Sequence, residues 1–516
     1  MKNKKFIFLA CLLMSLSACD IVDLEEKPES FIAPAQFFNS DQEAESAIYG
    51  VYDFYHNPRI GDYFWFFYGD LGTDVAMTRT IATYSFQHGD MVTVSTHMRH
   101  TWRVFYQAIG AANMVIARVD ASENISDDVK RRIVAEARFL RGSFYNRLNL
   151  LFGNVPVWLD ELDLDHVENL GATPANEVRE QVIEDLTYAA NNLPETVSEA
   201  GRVSSWVAKG LLARVSLFAN DWQNAKDMAA DVINNSGHSL LPNYYDVFDW
   251  TNKMNNELIH VVPKAPDLKG SAMHSFSSPR PFDDNNNFDI PDGEAVIRPD
   301  GQLSTDKASR NPGSLFQGWG IFQTVKENYD SYEEGDTRKD MWWHELEFTD
   351  GSTFTFTGGG SMGLPGRSGY YPLKWIAFDE APNNGGRDTH YQRLAELYLI
   401  LAESENELNG PTSVAYEAIN TVRRRAFGGL DHDLIGMSKD EFRQAVIDEN
   451  RWELGGEGLR RWYLWHWGYD TFLQAAEFVS ETNPRLLDNI QPHHKWHRIP
   501  DEEIINNPNL RQNPGY

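Results

Sequence analysis

From about Asp41 onward, apolar residues recur with helical spacing. Ile133, Ala137, Leu140, Phe144, Leu148 and Leu151 follow one another at steps of four and three, a stripe that predicts a helix ending near Gly153. Thr173-Pro174-Ala175-Asn176-Glu177 predicts the start of another, with Thr173 as N-cap and Pro174 at the first helical position, running to about Asn192 before Leu193-Pro194 stops it. Two later stretches share a grammar. Residues 205–235 place Ala208, Leu211, Leu212, Val215 and Leu217 on one helix, turn at Asn220-Asp221, and continue with Ala225, Ala229 and Val232. Residues 391–425 repeat the plan with Leu394, Leu397, Tyr398, Leu401 and Ala402, a turn at Gly410-Pro411, then Ala415, Ala418 and Ile419. Each is an αα-hairpin of tetratricopeptide size, with small alanines where two helices would touch.

Between about 262 and 390 the pattern gives way to Gly, Pro, Asn and Asp with scattered aromatics and one alternating strand, Thr353-Phe354-Thr355-Phe356-Thr357. The expected fold is therefore mainly α, a tetratricopeptide-like helical-hairpin scaffold with an irregular, loop-rich insertion carrying short strands. The expected divisions are 1–18 and 19–40 as leader and tether, 41–261 as N-terminal helices, 262–390 as the insertion, and 391–516 as closing helices of the same fold. Loops on a rigid scaffold are where recognition concentrates, so the insertion is the expected ligand face.

The leader adds localisation. Lys2, Lys4 and Lys5 precede an apolar run from Phe6 to Leu16, long enough for an export signal and too short to span a bilayer. It ends in Leu16-Ser17-Ala18-Cys19, the pattern of a bacterial lipobox, which makes Cys19 the expected acylated first residue of the mature chain. Stable anchoring follows when two or more acyl chains are buried, at about 0.8 kcal/mol per CH₂. Removing residues 1–18 discards Cys11, so no disulfide can form within the mature chain. Composition narrows the partners: 46 basic against 75 acidic residues give a net charge of −29, which would repel a phosphate backbone, and nucleic acid is excluded as a partner. The 15 Trp, 21 Tyr and 29 Phe supply many flat apolar faces instead.

Several segments together carry a family likeness. The C-terminus reads Arg498-Ile499-Pro500-Asp501-Glu502-Glu503-Ile504, then Asn507-Pro508-Asn509-Leu510 and Gln512-Asn513-Pro514-Gly515-Tyr516. Upstream stand Asp448-Glu449-Asn450-Arg451-Trp452-Glu453-Leu454, Glu457-Gly458-Leu459-Arg460 and Arg393-Leu394-Ala395-Glu396. The N-terminal half adds Trp102 to Tyr106, Glu136-Ala137-Arg138-Phe139-Leu140-Arg141 and Phe152-Gly153-Asn154-Val155-Pro156. In these positions the chain resembles the SusD/RagB family of outer-membrane nutrient-binding lipoproteins, departing from it at Tyr463-Leu464-Trp465-His466-Trp467-Gly468. Asp20, Asp23, Glu25 and Glu26 also resemble the acidic export signal of Bacteroidetes-type surface lipoproteins. The resemblance implies a lipid-anchored protein on the cell surface that binds oligosaccharides and delivers them to a TonB-dependent SusC-like β-barrel transporter, without catalysis. Peptide capture of the RagB kind is the alternative it leaves open.

Sugar rings present an apolar C–H face and a hydroxyl edge, so a binder wants exposed aromatics beside polar groups. The candidates are Tyr84, Phe86 and His88 ahead of the Trp102 helix, with Arg79 as a polar contact, and Trp319, Trp342, Tyr370 and Trp375 in the insertion, beside Trp343 and Tyr371. Trp102 and Trp462 lie on amphipathic stretches and are expected in the core. No cofactor is expected. Asp283, Asn285, Asn287, Asp289 and Glu294 match the spacing of a Ca²⁺ loop, yet Phe288 replaces its glycine, Pro291 interrupts it and no helices flank it, so a solvated loop is the expectation. His493, His494 and His497 are likewise expected to face solvent or to pack rather than bind metal. Gly359-Gly360-Ser361-Met362-Gly363 has the letters of a nucleophile elbow but runs into Pro365 and Gly366 instead of a helix.

Overall fold

The periodic stretches form helices with local stops. α1 (Asp41–Tyr52) is capped by Ser40, whose hydroxyl accepts from the Glu43 amide at 3.3 Å. α2 (Tyr63–Asp70) and α3 (Thr96–Ala121) follow, then α4 (Asp127–Phe152), closed by Gly153 at φ 68°. α5 (Ala175–Asn192) begins one residue later than expected, because Thr173 exchanges backbone hydrogen bonds with Val155, at 3.0 and 3.2 Å, instead of capping. α6 (Ser205–Phe218) and α7 (Trp222–Asn235) make the first expected hairpin, α8 (Leu394–Asn409) and α9 (Ser413–Phe427) the second. α10 (Lys439–Leu454) opens with a reciprocal Ser438/Glu441 capping box, and α11 (Arg460–Trp467) and α12 (Tyr469–Phe478) follow. This computed structural model describes residues 37–61, 63–78, 85–90, 96–161, 170–279, 292–305, 318–356, 368–381 and 383–516.

The helices pack in series: α3 on α4, α4 on α5, α5 on α6, α6 on α7, α7 on α8, and α8 on both α9 and α10. Ala225 and Ala229 of α7 and Ala395 and Ala402 of α8 are fully buried, and their small side chains let the helices approach closely. The two hairpins seen in the sequence are thus adjacent in space, although residues 236–393 separate α7 from α8. The insertion, 262–390, makes up most of that excursion. Strands β2 (Leu258–Val262) and β10 (Thr389–Arg393) pair antiparallel at its base and bring its two ends together.

Inside the insertion, β3 (Val296–Ile297), β4 (Leu303–Ser304), β7 (Glu345–Phe348) and β8 (Thr353–Thr355) form one antiparallel sheet in the order β4-β3-β7-β8. The pair β6 (Trp342–Trp343) and β9 (Tyr371–Pro372) lies nearby. Their inward residues, among them Trp343, Leu346, Phe348 and Tyr371, join Phe378 in a second apolar core distinct from that of the helical stack. A further pair, β1 (Ala76–Thr78) with β5 (Phe322–Thr324), joins the N-terminal helices to the insertion.

Buried charge fixes the insertion in place. Arg338 and Lys374 of the insertion, Arg393 at the end of β10 and Arg425 of α9 converge on Glu449 and Glu453 of α10 and Glu457 just beyond it, all with buried side chains. Arg393 reaches Glu453 at 2.5 Å, Glu457 at 2.7 Å and Glu257 at 3.0 Å; Arg338 reaches Glu449 at 2.5 Å; Lys374 reaches Glu457 at 2.8 Å. A second clamp holds the turn before β1: Asp70 accepts from the amides of Gly458, Leu459 and Arg460 at 2.8 to 3.1 Å, and Asp74 pairs with Arg460 at 2.7 Å.

Candidate ligand-binding face

The β1–β5 pairing creates the site's frame. Its register sets Thr78 opposite Phe322 and Ala76 opposite Thr324, so the chain leaves β1 beside the segment that carries Trp319. At the other end of β5, the Thr324 amide donates to the Tyr370 carbonyl at 3.1 Å and the Ser368 hydroxyl donates to the Thr324 carbonyl. The Gln323 side chain reinforces both sides, accepting from the amides of Ser368 at 3.1 Å and Gly369 at 3.3 Å while donating to the Gly320 carbonyl at 3.0 Å. Gly369 has φ 79°, and a Cβ there would lie 2.5 Å from the Phe356 carbonyl oxygen. Only glycine lets the backbone turn there and deliver Tyr370.

Tyr370 then stacks on Tyr329, with ring centroids 4.2 Å apart and planes 24° from parallel. His344 closes the group at 4.8 Å from Tyr329 and 5.0 Å from Tyr370, and its Nε2 lies 3.3 Å from the Tyr329 hydroxyl. The Lys339 ammonium sits 4.5 Å from the Tyr329 ring centroid. All three rings are half-buried, each leaving some surface to solvent. Burial pushes the Tyr329 phenol up to about 12 and raises that of Tyr370, so both stay protonated hydrogen-bonding groups at neutral pH. Trp319, also half-buried, stands edge-on to Phe276 at 5.1 Å. The face thus offers ring surfaces at both ends of β5, with phenol, imidazole and ammonium groups at the Tyr370 end.

Of the residues expected to meet ligand, Trp319 and Tyr370 lie on this face. Trp342 and Trp375 do not: they are 2% and 0% exposed, and the tertiary fold uses them as core. The Trp342 indole donates to the Tyr332 hydroxyl at 3.0 Å, and that of Trp375 to the Gly456 carbonyl at 2.6 Å, with Phe66 packed 4.4 Å from its ring. Trp343 and Tyr371 fill the insertion core. Phe86 is likewise buried, stacked on Tyr68 at 5.0 Å, and His88 is held by Asn483 at 2.6 Å. Trp102 and Trp462 are buried as expected. Arg79, Tyr84, Cys19, Asp283, Asn285, Asn287, Asp289 and the glycine-rich run 358–363 lie outside the described residues. Glu294 accepts a hydrogen bond from the Thr349 hydroxyl, and among the described residues no group of three His, Cys, Asp or Glu is arranged to hold a metal ion. His494 and His497 are buried. Sequence reasoning missed Tyr329, His344 and Lys339, since no pattern marks ring pairs that meet only across β5.

Comparison with known proteins places the fold. Residues 24–217 match a family model described as starch-binding and associating with the outer membrane, and residues 309–516 match that of the SusD family. The SusD-like protein P25 of Formosa agariphila is 30% identical, with both chains covered over their full length. A SusD homologue of Bacteroides thetaiotaomicron superposes with a TM-score of 0.76 at 22% identity, covering 94% of this chain and 98% of that one. Surface glycan-binding protein A of the same organism, solved in complex with laminarihexaose, gives 0.72 at 20% identity, covering 92% and 99%. No described helix is long and apolar enough to cross a membrane. With an end-to-end match to a SusD-like protein, and family models matching both halves, the chain belongs to the SusD/RagB family.

Proposed function

We propose that this chain is a surface lipoprotein, acylated at Cys19, that binds oligosaccharides and hands them to a TonB-dependent SusC-like transporter without converting them. The observation that carries the ligand reading is the half-exposed Tyr329–Tyr370–His344 ring group held rigidly on the insertion beside β5. Each ring face that covers about 60 Å² of sugar C–H surface contributes roughly 1.5 kcal/mol at about 25 cal/mol/Å². Two or three such contacts reach about −4 kcal/mol, a millimolar affinity suited to capture and release. The relative solved with laminarihexaose makes that sugar a sensible first probe.

Calorimetric titration with laminarihexaose and a panel of other oligosaccharides tests this. Saturable binding by the native protein, weakened at least fivefold in Tyr370→Ala, is expected. Binding to no glycan, with binding to peptides, would transfer the protein to the peptide-capture reading. Release of new reducing ends would overturn the non-enzymatic one.

A further inference from the structure

A second feature lies in the helical half, away from the insertion. It is a groove of about 740 Å³ along α3, walled by the segment following α4 and by the C-terminal short helix Asp501–Asn506. Tyr106 and Trp158 line it as nearly parallel plates, centroids 4.9 Å apart and planes 11° apart, with Trp102 adjoining at 5.0 Å. These plates are fixed. The Tyr106 hydroxyl donates to the Pro156 carbonyl at 3.0 Å, and the Trp158 backbone is held by Tyr145 and Asn113 at 3.0 and 3.1 Å. Arg103, Gln107 and Glu503 stand around them, and no insertion residue lines the groove.

Its floor contains Gly110, in the middle of a 26-residue helix where glycine costs about 1 kcal/mol relative to alanine. Packing does not require it, since a Cβ there would meet nothing within 4 Å. The missing side chain leaves the floor open. The volume falls within the range of small-molecule sites, about 300–1,000 Å³. Fixed aromatic plates bordered by a guanidinium, an amide and a carboxyl match a neutral ligand with one apolar face and many hydroxyls. A phosphorylated ligand would face Glu161 and Glu503 as well as Arg103.

We propose that this groove is a second carbohydrate subsite, seating a sugar ring against Tyr106 and Trp158 with its hydroxyls directed to Arg103, Gln107 and Glu503. Two separated subsites on one chain would let a long glycan be held at both, raising apparent affinity without a new contact at either. The proposal rests on the carbohydrate reading above, and its test separates the two.

The mature protein is run in native gels containing laminarin, starch or xylan. Gly110→Leu should fill the floor without touching the fold, leave the melting temperature at or above the wild-type value, and weaken retardation at least fivefold. Gly110→Ala should retain most of the binding, and Gln107→Ala, an exposed change, should weaken it about twofold or more. Retardation of wild type and Gly110→Leu alike, with Gln107→Ala also unchanged, overturns the second subsite and leaves the insertion reading intact. Loss in Gly110→Leu with none in Tyr370→Ala supports the groove and removes the insertion face. Retardation of the wild type by none of the glycans overturns both.

Discussion

Glu453 offers the sharpest test of how the ligand-bearing insertion is held. Its carboxylate is fully buried and receives Arg393 at 2.5 Å, Arg338 at 3.1 Å and Arg425. Burial alone would push its pKa up, yet Arg425, Arg393 and Arg338 together hold it far below the ordinary carboxylate range. Glu453→Ala removes the anion that three buried guanidinium groups share, while Arg393 keeps Glu257 and Glu457, Arg338 keeps Glu449 and Asp336, and Arg425 keeps Glu257. Breaking a buried ion pair by deleting one partner costs about 3–5 kcal/mol. Each of the three cations keeps another carboxylate, so the lower end of that range, about 3 kcal/mol, is expected, against a total stability of about 5–15 kcal/mol. In urea, with a slope of about 3 kcal/mol/M, the unfolding midpoint should fall by about 1 M. Glu453→Gln, which keeps the shape but loses the charge, should fall between this variant and the wild type. Arg131→Ala, whose partner Asp128 is 93% exposed, should leave the midpoint in place. A shift below about 0.3 M for Glu453→Ala, at unchanged slope, would refute the argument that this cluster holds the insertion to the scaffold.

Acid should destabilise the fold. Burial holds His260 at about 3 and keeps His390 and His497 well below the ordinary value, so below pH 6.5 the unfolded chain takes up protons that the folded one refuses. Between pH 7.5 and 5.5 each histidine costs about 1.4 kcal/mol. His494, held at about 4 by burial, adds about 1.3 kcal/mol, while Asp70, raised to about 6 by burial, works in the opposite sense and returns about 0.8 kcal/mol, for a net loss of about 4.5. Urea midpoints that are equal or higher at pH 5.5 would contradict this. Gly369→Val, at φ 79° and against the Phe356 carbonyl, should lower the melting temperature and weaken glycan binding together, as thermal melts and titration would show; full binding would mean that Tyr370 does not depend on that turn. Cys19→Ala should move the protein from the membrane to the soluble fraction on cell fractionation, and an unacylated wild-type chain in mass spectrometry would refute the anchor.

Much of the scaffold was legible because helices are written locally. The Ile133 to Leu151 stripe and the Asn220-Asp221 and Gly410-Pro411 turns each involve residues within a few positions of one another. The Arg393, Glu453 and Glu457 motif was also visible, but only as letters. That these residues form one buried charge cluster depends on α8, α10 and β10 meeting in space.

The sequence by itself determined the helical hairpins, the irregular character of the insertion and a family likeness spread along most of the mature length. Tertiary structure alone decided which aromatics remain at the surface. Trp319, Trp342, Tyr370 and Trp375 all occur in the irregular stretch between 262 and 390, yet α10 and the Gly456 turn cover Trp342 and Trp375 while Trp319 and Tyr370 stay half-open at the ends of β5. Helical period is a property of neighbours along the chain, whereas burial of a loop side chain is set by residues scores of positions away, and no local pattern encodes it.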